Sequence, residues 1–155
     1  MSNGIKVKKR DGRIESLDLD KMHLMVDEAC QGLAGVSASQ VEMKSGIQFY
    51  DGITTEEIQE ILIKAASDLI DLDHPNYQFV AARLLLFALR KQLYGKMREL
   101  PHLESHIMNC TNIDVYDKEI FDKYSKEEID RANSYIDHER DFLFTYAGLR
   151  QVVDK

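Results

Sequence analysis

The sequence predicts a mainly helical protein, a four-helix bundle capped by a small β-hairpin or sheet and followed by a short helical segment. Four stretches in the first two thirds of the chain repeat apolar residues at the spacing of one helix face. Ahead of them, Asp11-Gly12 lies between two short alternating runs, which is typical of a β-hairpin. Only eight Gly and two Pro in 155 residues leave too few breaks for a β-sandwich or barrel.

Composition excludes several classes of function. Twenty Lys+Arg against 27 Asp+Glu give a net charge of −7, which argues against sequence-independent binding of nucleic acid or of an anionic membrane. No apolar run reaches the roughly 18 residues of a membrane span. Two Cys cannot form a four-thiolate zinc site or a secreted disulfide framework, and residues 1–5 do not resemble a secretory leader. We therefore expect a cytoplasmic protein that binds neither nucleic acid nor membrane.

The hairpin is predicted over residues 5–17, and it must pack on the helices after it because two short strands are not stable alone. The first helix is predicted to begin after Asp18, which can cap its N-terminus. Leu17 and Met22 then have the spacing of a hydrophobic staple.

The second and third helices are predicted to begin with capping boxes. Ser37 and Gln40 form the first box, ahead of a helix that should extend to about Tyr50. Thr54 and Glu57 form the second box. Apolar residues flank both boxes at staple spacing.

The fourth helix is predicted to begin near Pro75 and to stop at Gly95, and it is apolar almost all round, which indicates a buried central helix. Short connections make consecutive helices antiparallel neighbours. Four short amphipathic stretches come after Gly95, at about 102–110, 117–123, 126–136 and 142–153. Asp141 is predicted to cap the last of them.

This topology predicts one site. It brings the hairpin, the starts of the first and third helices and the end of the fourth helix to one end of the bundle. The basic and polar residues gathered there are Lys9, Arg10, Lys21, Thr54, Thr55, Gln59 and Lys91. Basic groups, hydroxyls and free helix N–H groups together are suited to a polyphosphate. A bound anion would also offset the unfavourable position of Lys21 in a first helical turn.

A purine could occupy the same end. Glu15 offers an acceptor for an exocyclic amine, and Val7, Leu17 and Met22 offer an apolar slot for the ring. The alternative is that the basic residues are a solvated hairpin edge, where lysine blocks strand pairing, and that Lys91 is a favourable cation at a helix end. Spacing alone favours this alternative.

Several runs of the sequence resemble the ATP-cone of class I ribonucleotide reductase large subunits. The hairpin carries the first run, and later parts of the chain carry the rest. The runs are 7–12 with Glu15 and Asp20-Lys21, then 47–53, 64–66, 75–78 and 81–83. Residues 136–141 and 144–146 resemble the segment after the cone. The resemblance implies an ATP-cone at 1–95 and, at 96–155, a helical segment leading into a catalytic barrel domain that this chain lacks.

The resemblance implies an allosteric domain. In the family, ATP or dATP binds the cone, with Mg²⁺ expected, and controls the reduction of ribonucleotides to deoxyribonucleotides through subunit assembly. The implied partners are the remainder of the large subunit, a radical-generating small subunit and further copies of the large subunit. Cys30 and Cys110 match none of the family's redox cysteines, so no catalytic residue is assigned and the chain alone should be inactive.

The resemblance also implies residue roles. Lys9, Arg10, Lys21, Thr55 and Lys91 would hold phosphates, and Glu15 would read the adenine amino group. Two positions depart from the family pattern. Asp18 stands where an asparagine often helps to read adenine, and Gln59 stands where a histidine often lies near the ribose, which affects discrimination between ATP and dATP.

Three other interpretations concern the same sequence. A repressor that combines an ATP-cone with a four-cysteine zinc ribbon is excluded by the two Cys. A degenerate cone that acts only as a protein interaction module stays open. His102, His106 and Cys110 recur at intervals of four residues, but a straight helix rarely supplies a third metal ligand two turns away, so no metal site is predicted.

Overall fold

The computed structural model describes residues 4–155, which form eight α-helices and one small sheet. The strands are β1 (Lys6–Lys8), β2 (Ile14–Ser16) and β3 (Ile53–Thr54). The helices are α1 (Leu19–Cys30), α2 (Ala38–Gly46), α3 (Thr55–Ser67), α4 (Tyr77–Tyr94), α5 (Leu103–Asn112), α6 (Glu119–Lys123), α7 (Lys126–Ser134) and α8 (Tyr146–Val153). A 3₁₀ helix spans His138–Leu143. This confirms the mainly helical fold with a small sheet.

The predicted hairpin is confirmed, and a third strand joins it. β1 pairs antiparallel with β2, and Gly12 adopts φ +86° in the turn, a conformation that glycine tolerates without strain. β1 also pairs in parallel with β3, in the register Val7 to Ile53, so the strand order is β2-β1-β3. The strand β3 was not predicted from sequence because a two-residue strand has no periodicity of its own.

The chain forms two compact units. Of the described residues, the first unit comprises 4–89 and 141–155, and the second comprises 90–140. Residues 141–155 thus belong to the unit that holds the sheet and α1 to α3, although more than fifty residues of sequence separate the two parts.

The core of the first unit is built mostly on α4. Val80, Ala81 and Ala82 are no more than 2% exposed, and the run from Leu84 to Phe87 is buried as well. This confirms the prediction of a buried central helix. α3 adds Leu62 and Ile63, and further fully buried residues include Val26, Val41 and Ile53. α4 ends at Tyr94, and Gly95 after it adopts φ +72°, which stops the helix.

The capping of α2 differs from the prediction. Ser37 is the N-cap residue, but its side chain makes no capping hydrogen bond. The buried Tyr77 hydroxyl instead accepts from the Ser37 backbone N–H at 3.0 Å and donates to Gln40 Oε1 at 3.1 Å. The predicted Ser37–Gln40 box is therefore wrong, because a tyrosine from α4 takes the place of the reciprocal bonds. α2 also ends at Gly46 rather than near Tyr50.

The second unit is smaller and centres on α5 and α7. Ile107 and Thr111 of α5 and Ile129 of α7 are its buried residues outside α4. Asn133 Oδ1 accepts from the Leu103 backbone N–H at 2.9 Å, which ties the end of α7 to the start of α5.

The last helix is capped by Thr145 rather than Asp141. The Thr145 hydroxyl accepts from the Gly148 backbone N–H at 3.2 Å, and α8 begins one residue after it. Asp141 lies inside the preceding 3₁₀ helix. The prediction failed because residues 138–143 form a 3₁₀ helix, so α8 begins later, directly after Thr145, which is also a preferred N-cap residue.

Within residues 4–155, no helix is both long enough and apolar enough to cross a membrane.

Candidate functional site

The hairpin and the start of α3 lie together in the first unit. Lys8 pairs with Thr54 across the parallel strands, and the Thr55 hydroxyl donates to the Lys8 carbonyl oxygen at 3.4 Å. α3 begins directly after β3, so its free N–H groups lie beside the hairpin turn at residues 9–13.

The start of α1 follows β2, which lies at the opposite edge of the sheet from β3. The Leu17 backbone N–H donates to the Ile5 carbonyl oxygen at 2.8 Å, which continues the hairpin pairing up to the helix. Asp18 then accepts from the Lys21 backbone N–H at 2.9 Å, which confirms Asp18 as the cap of α1. Two helix N-termini therefore flank a sheet whose strands are at most three residues long, or about 10 Å.

Two carboxylates of the hairpin form ion pairs with its basic side chains. Lys9 Nζ lies 3.5 Å from Glu15 Oε2, and Arg13 lies 3.2 Å from the other oxygen of Glu15. Arg13 also pairs with Asp11 at 2.6 Å. The Arg13 backbone N–H and then its guanidinium lower the pKa of the Asp11 carboxyl. Residues 6–16 nevertheless hold five Lys and Arg side chains against two carboxylates, so the hairpin keeps an excess of positive charge.

Arg10 reaches across to α3. Its Nε donates to Glu56 Oε1 in the first turn of that helix. The two residues lie 46 positions apart in sequence, so this pair joins the hairpin turn to the start of α3. Arg10 was predicted from sequence and Glu56 was not, although an acidic residue in a predicted first turn was a signal for an interaction at that place.

The capping box of α3 is confirmed, and Tyr50 extends it. The Thr54 hydroxyl accepts from the Glu57 backbone N–H at 3.1 Å, and Glu57 Oε2 accepts from the Thr54 backbone N–H at 2.8 Å. Tyr50 donates to the other oxygen of Glu57 at 2.8 Å. The Thr54 backbone N–H and then the Tyr50 hydroxyl lower the pKa of the Glu57 carboxyl. Glu57 is thus committed to the helix start, whereas Glu56 beside it contacts the hairpin.

The predicted apolar residues differ in burial. Val7 is buried at the centre of the sheet, at 3% exposure, while Leu17 and Met22 are half-buried. Leu17 precedes the N-cap of α1 and Met22 lies in its first full turn, so both side chains belong to the region where β2 passes into α1.

Gln59 is a buried polar residue on α3, one turn after Thr55. It is 7% exposed, and its side-chain amide has no hydrogen bond with any of residues 4–155. Its polar atoms are not among the fully buried side-chain N and O atoms of residues 4–155 that lack a partner, so the amide reaches the surface. Unused donors and acceptors at this position are therefore suited to a ligand.

The structure brings nearly all the predicted site residues into the first unit. These are Val7, Lys9, Arg10, Glu15, Leu17, Asp18, Lys21, Met22, Thr55 and Gln59. Lys91 lies in the last turn of α4, within the second unit. Its contribution to the site stays a prediction.

The histidines of the second unit do not form the stripe that their spacing suggests. His102 precedes α5 as its N-cap, where its Nδ1 accepts from the Glu104 backbone N–H at 3.3 Å. His106 lies between the rings of Tyr94 and Tyr116, with Cys110 Sγ 3.6 Å from its Nε2.

His102, Glu104 and Asp130 do place three ligand atoms within 4.8 Å of one another. However, the cap bond at Nδ1 puts the proton of the neutral ring on Nε2, which faces Asp130 at 3.6 Å. A metal at Nε2 would require that proton to leave. We interpret the group as a helix cap whose neutral ring faces Asp130.

A concave region of the first unit lies between α3 and α8. It has a volume of about 370 Å³ and is lined by Glu60, Ile61, Lys64, Ser67, Tyr146 and Arg150. Its two basic residues are paired, Arg150 with Glu60 and Lys64 with Asp68, each at 3.1 Å. This groove therefore lacks the excess of cations that a polyphosphate needs.

Comparisons with known proteins agree with the resemblance. The ATP cone domain family matches residues 5–92. The chain is 46% identical over all 155 residues to ribonucleoside-diphosphate reductase 1 subunit alpha of Escherichia coli (strain K12) and to ribonucleoside-diphosphate reductase subunit alpha of Haemophilus influenzae, and it covers 20% of each. It is 42% identical over 153 residues, 97% of its length, to the corresponding subunit of Enterobacteria phage T4, of which it also covers 20%.

The chain therefore spans about a fifth of the length of these relatives. The family match covers more than half of the chain and includes the sheet, α1 to α3 and nearly all of α4. The chain belongs to the ATP cone family.

Proposed function

We propose that this chain is the allosteric ATP- and dATP-binding region of a ribonucleotide reductase large subunit. The observation that carries the proposal is that one short sheet leads directly into two helices, from β2 into α1 and from β3 into α3. Cations, threonine hydroxyls and two helix N-termini flank one short sheet there. That combination favours a polyphosphate.

The residues divide by the part of the nucleotide that they would contact. Lys9, Arg10, Lys21 and Thr55 would hold phosphates, with Lys91 contributing from the end of α4. Glu15 would accept from the adenine amino group after leaving its ion pairs with Lys9 and Arg13. Val7, Leu17 and Met22 would form the apolar wall, and Asp18 would remain the cap of α1.

Gln59 would determine how the site treats the sugar. ATP and dATP differ only at the 2′-hydroxyl, so discrimination requires a polar group near the ribose. The amide of Gln59, on a residue that is only 7% exposed, offers both a donor and an acceptor. A site built to bond that hydroxyl would bind the analogue without it more weakly.

Nucleotide binding would regulate the reductase by shifting the equilibrium between different subunit assemblies. Each nucleotide would stabilise a different arrangement of large and small subunits, and each arrangement would in turn change the affinity for nucleotide by the same factor. Reduction of ribonucleotides would belong to the whole protein, with the radical supplied by the small subunit. A Mg²⁺ ion would accompany the phosphates, since it is the usual partner of nucleotide phosphates in proteins.

Calorimetric titration with ATP and with dATP, each with Mg²⁺, tests the proposal. We expect saturable binding that Lys9→Ala and Lys91→Ala each weaken at least tenfold, because each removes a direct phosphate contact. Lys118→Ala, in the loop before α6, is the matched control and should leave binding unchanged. Absence of binding to the unaltered chain at millimolar nucleotide would instead indicate a degenerate cone that acts only as an interaction module.

A further inference from the structure

An ion pair occupies the place where phosphates are expected. Arg10 Nε donates to Glu56 Oε1, and both side chains remain partly open to solvent, at 41% and 47% exposure. Glu56 belongs to the first turn of α3, where aligned peptide dipoles favour a negative charge. The same dipoles and N–H groups would attract a phosphate.

We propose that Glu56 is an internal competitor of the nucleotide, which occupies Arg10 and the start of α3 until a polyphosphate displaces it. The inference rests on the proposed function, because it concerns the affinity of that same site. Its consequence is that Glu56 raises the nucleotide concentration at which the domain responds.

The neighbouring carboxylates distinguish this role from ordinary helix capping. Glu57 makes the reciprocal bonds with Thr54 and accepts from Tyr50, so it cannot leave without breaking the start of α3. Glu56 takes no part in that box. Its contact with Arg10 is an exposed ion pair, and such pairs add little to folding stability. Glu56 can therefore move aside while the Thr54–Glu57 capping box stays intact.

Electrostatic repulsion between Glu56 and the bound phosphates should weaken nucleotide binding. When a polyphosphate binds, Arg10 exchanges one anion for another, and the displaced carboxylate stays close to the phosphates because α3 holds its backbone. Like charges at such distances repel, and salt screens this repulsion. Removing the charge of Glu56 should therefore tighten binding, most clearly at low ionic strength.

The test is a calorimetric titration of the full 155-residue chain and of Glu56→Gln with ATP and Mg²⁺ at low and at high salt. We expect the dissociation constant of Glu56→Gln to be smaller by roughly threefold to tenfold at low salt, with a smaller difference at high salt. Glu60→Gln is the matched control. It removes one negative charge from the same helix one turn further on, where Glu60 pairs with Arg150, and should leave affinity within about twofold.

A double-mutant cycle tests whether the effect of Glu56→Gln on ATP affinity depends on Arg10. In an Arg10→Ala background, Glu56→Gln should bring less improvement than in the unaltered chain, because the competed cation is gone. Unchanged or weaker binding by Glu56→Gln would overturn the inference, as would an equal improvement in both backgrounds. If the unaltered chain binds and Glu56→Gln behaves like it, only this inference fails. If neither binds ATP, the proposed function fails as well.

Discussion

The guanidinium of Arg83, on α4, lies over the ring of Phe142, with 5.3 Å between Cζ and the ring centroid. The same guanidinium donates to the carbonyl oxygens of Ala29 and Gln31, at 3.2 and 2.8 Å, at the end of α1. Phe142 also meets Phe87 edge-on at 6.2 Å. One residue from the last part of the chain is thus bound into the helices of the first unit.

We therefore predict that Phe142→Ala lowers the free energy of unfolding by about 2 kcal/mol, since it removes an aromatic pair and the surface beneath a guanidinium. Urea unfolding monitored by circular dichroism provides the measurement. Leu143→Ala is the control, because the neighbouring Leu143 is 73% exposed, and it should change stability by less than about 0.5 kcal/mol. Equal effects of the two variants would show that Phe142 does not pack as described.

Tyr77 should contribute through its hydroxyl as well as its ring. Tyr77→Phe leaves the Ser37 backbone N–H and Gln40 Oε1 without their shared partner, and we expect a loss of about 1 to 2 kcal/mol. The control is Tyr135→Phe, at a position 81% exposed, which should be nearly neutral. A neutral Tyr77→Phe in the same urea unfolding experiment would contradict the bridging role.

Two helix caps of the first unit provide a matched comparison. Thr54→Ala removes both side-chain bonds that Thr54 makes with Glu57 and should cost about 1 kcal/mol. Ser37→Ala should cost clearly less, because the Ser37 side chain makes no capping bond. Thermal unfolding of both variants gives the comparison, and a larger loss for Ser37→Ala would refute the assignment of caps.

His23 and Glu42 link α1 and α2 with a pH-dependent contact. His23 Nδ1 lies 2.7 Å from Glu42 Oε1, and this hydrogen bond, followed by the charge of Glu42, raises the pKa of His23 above its ordinary value. The raised pKa belongs to the folded state. The contribution to stability is therefore fully present below the ordinary pKa near 6.5 and is lost as pH rises through the higher folded value.

NMR titration of the His23 ring in the unaltered chain and in Glu42→Gln measures this effect. We expect the substitution to lower the pKa of His23 toward its ordinary value and to reduce the difference in stability between about pH 5.5 and about pH 8. Glu127→Gln, in the second unit, serves as the control and should leave the titration unchanged. An unaltered pKa of His23 in Glu42→Gln would rule out the contact in solution.

Local signals in the sequence were sufficient for most of the fold. The Asp11-Gly12 turn, the Asp18 cap, the Thr54–Glu57 box and the stop at Gly95 each depend on residues close together in the chain. The strand β3 and the capping of α2 by Tyr77 depend on partners about forty or more residues away. Periodicity and capping patterns contain no information about such partners.

In the candidate site, too, the sequence predicted the local features and not the side-chain contacts. The sequence indicated its basic residues and helix starts, because hairpin and capping patterns are local. It did not indicate that Lys9 would pair with Glu15, which depends on side-chain positions within the hairpin. Nor did it indicate that Arg10 would reach Glu56, since that contact follows from the packing of the hairpin on α3. The role of Lys91 at this site stays a prediction.

Amide hydrogen exchange of the full chain, with and without dATP and Mg²⁺, is the most direct test of where nucleotide binds. We predict slower exchange in residues 5–22 and 53–60, which contain the hairpin and the starts of α1 and α3. Backbone amides around Lys64 and Arg150 at the α3–α8 groove should keep their rates, because the cations there are already paired. Protection confined to that groove, or no protection at saturating dATP, would contradict a nucleotide site at the hairpin.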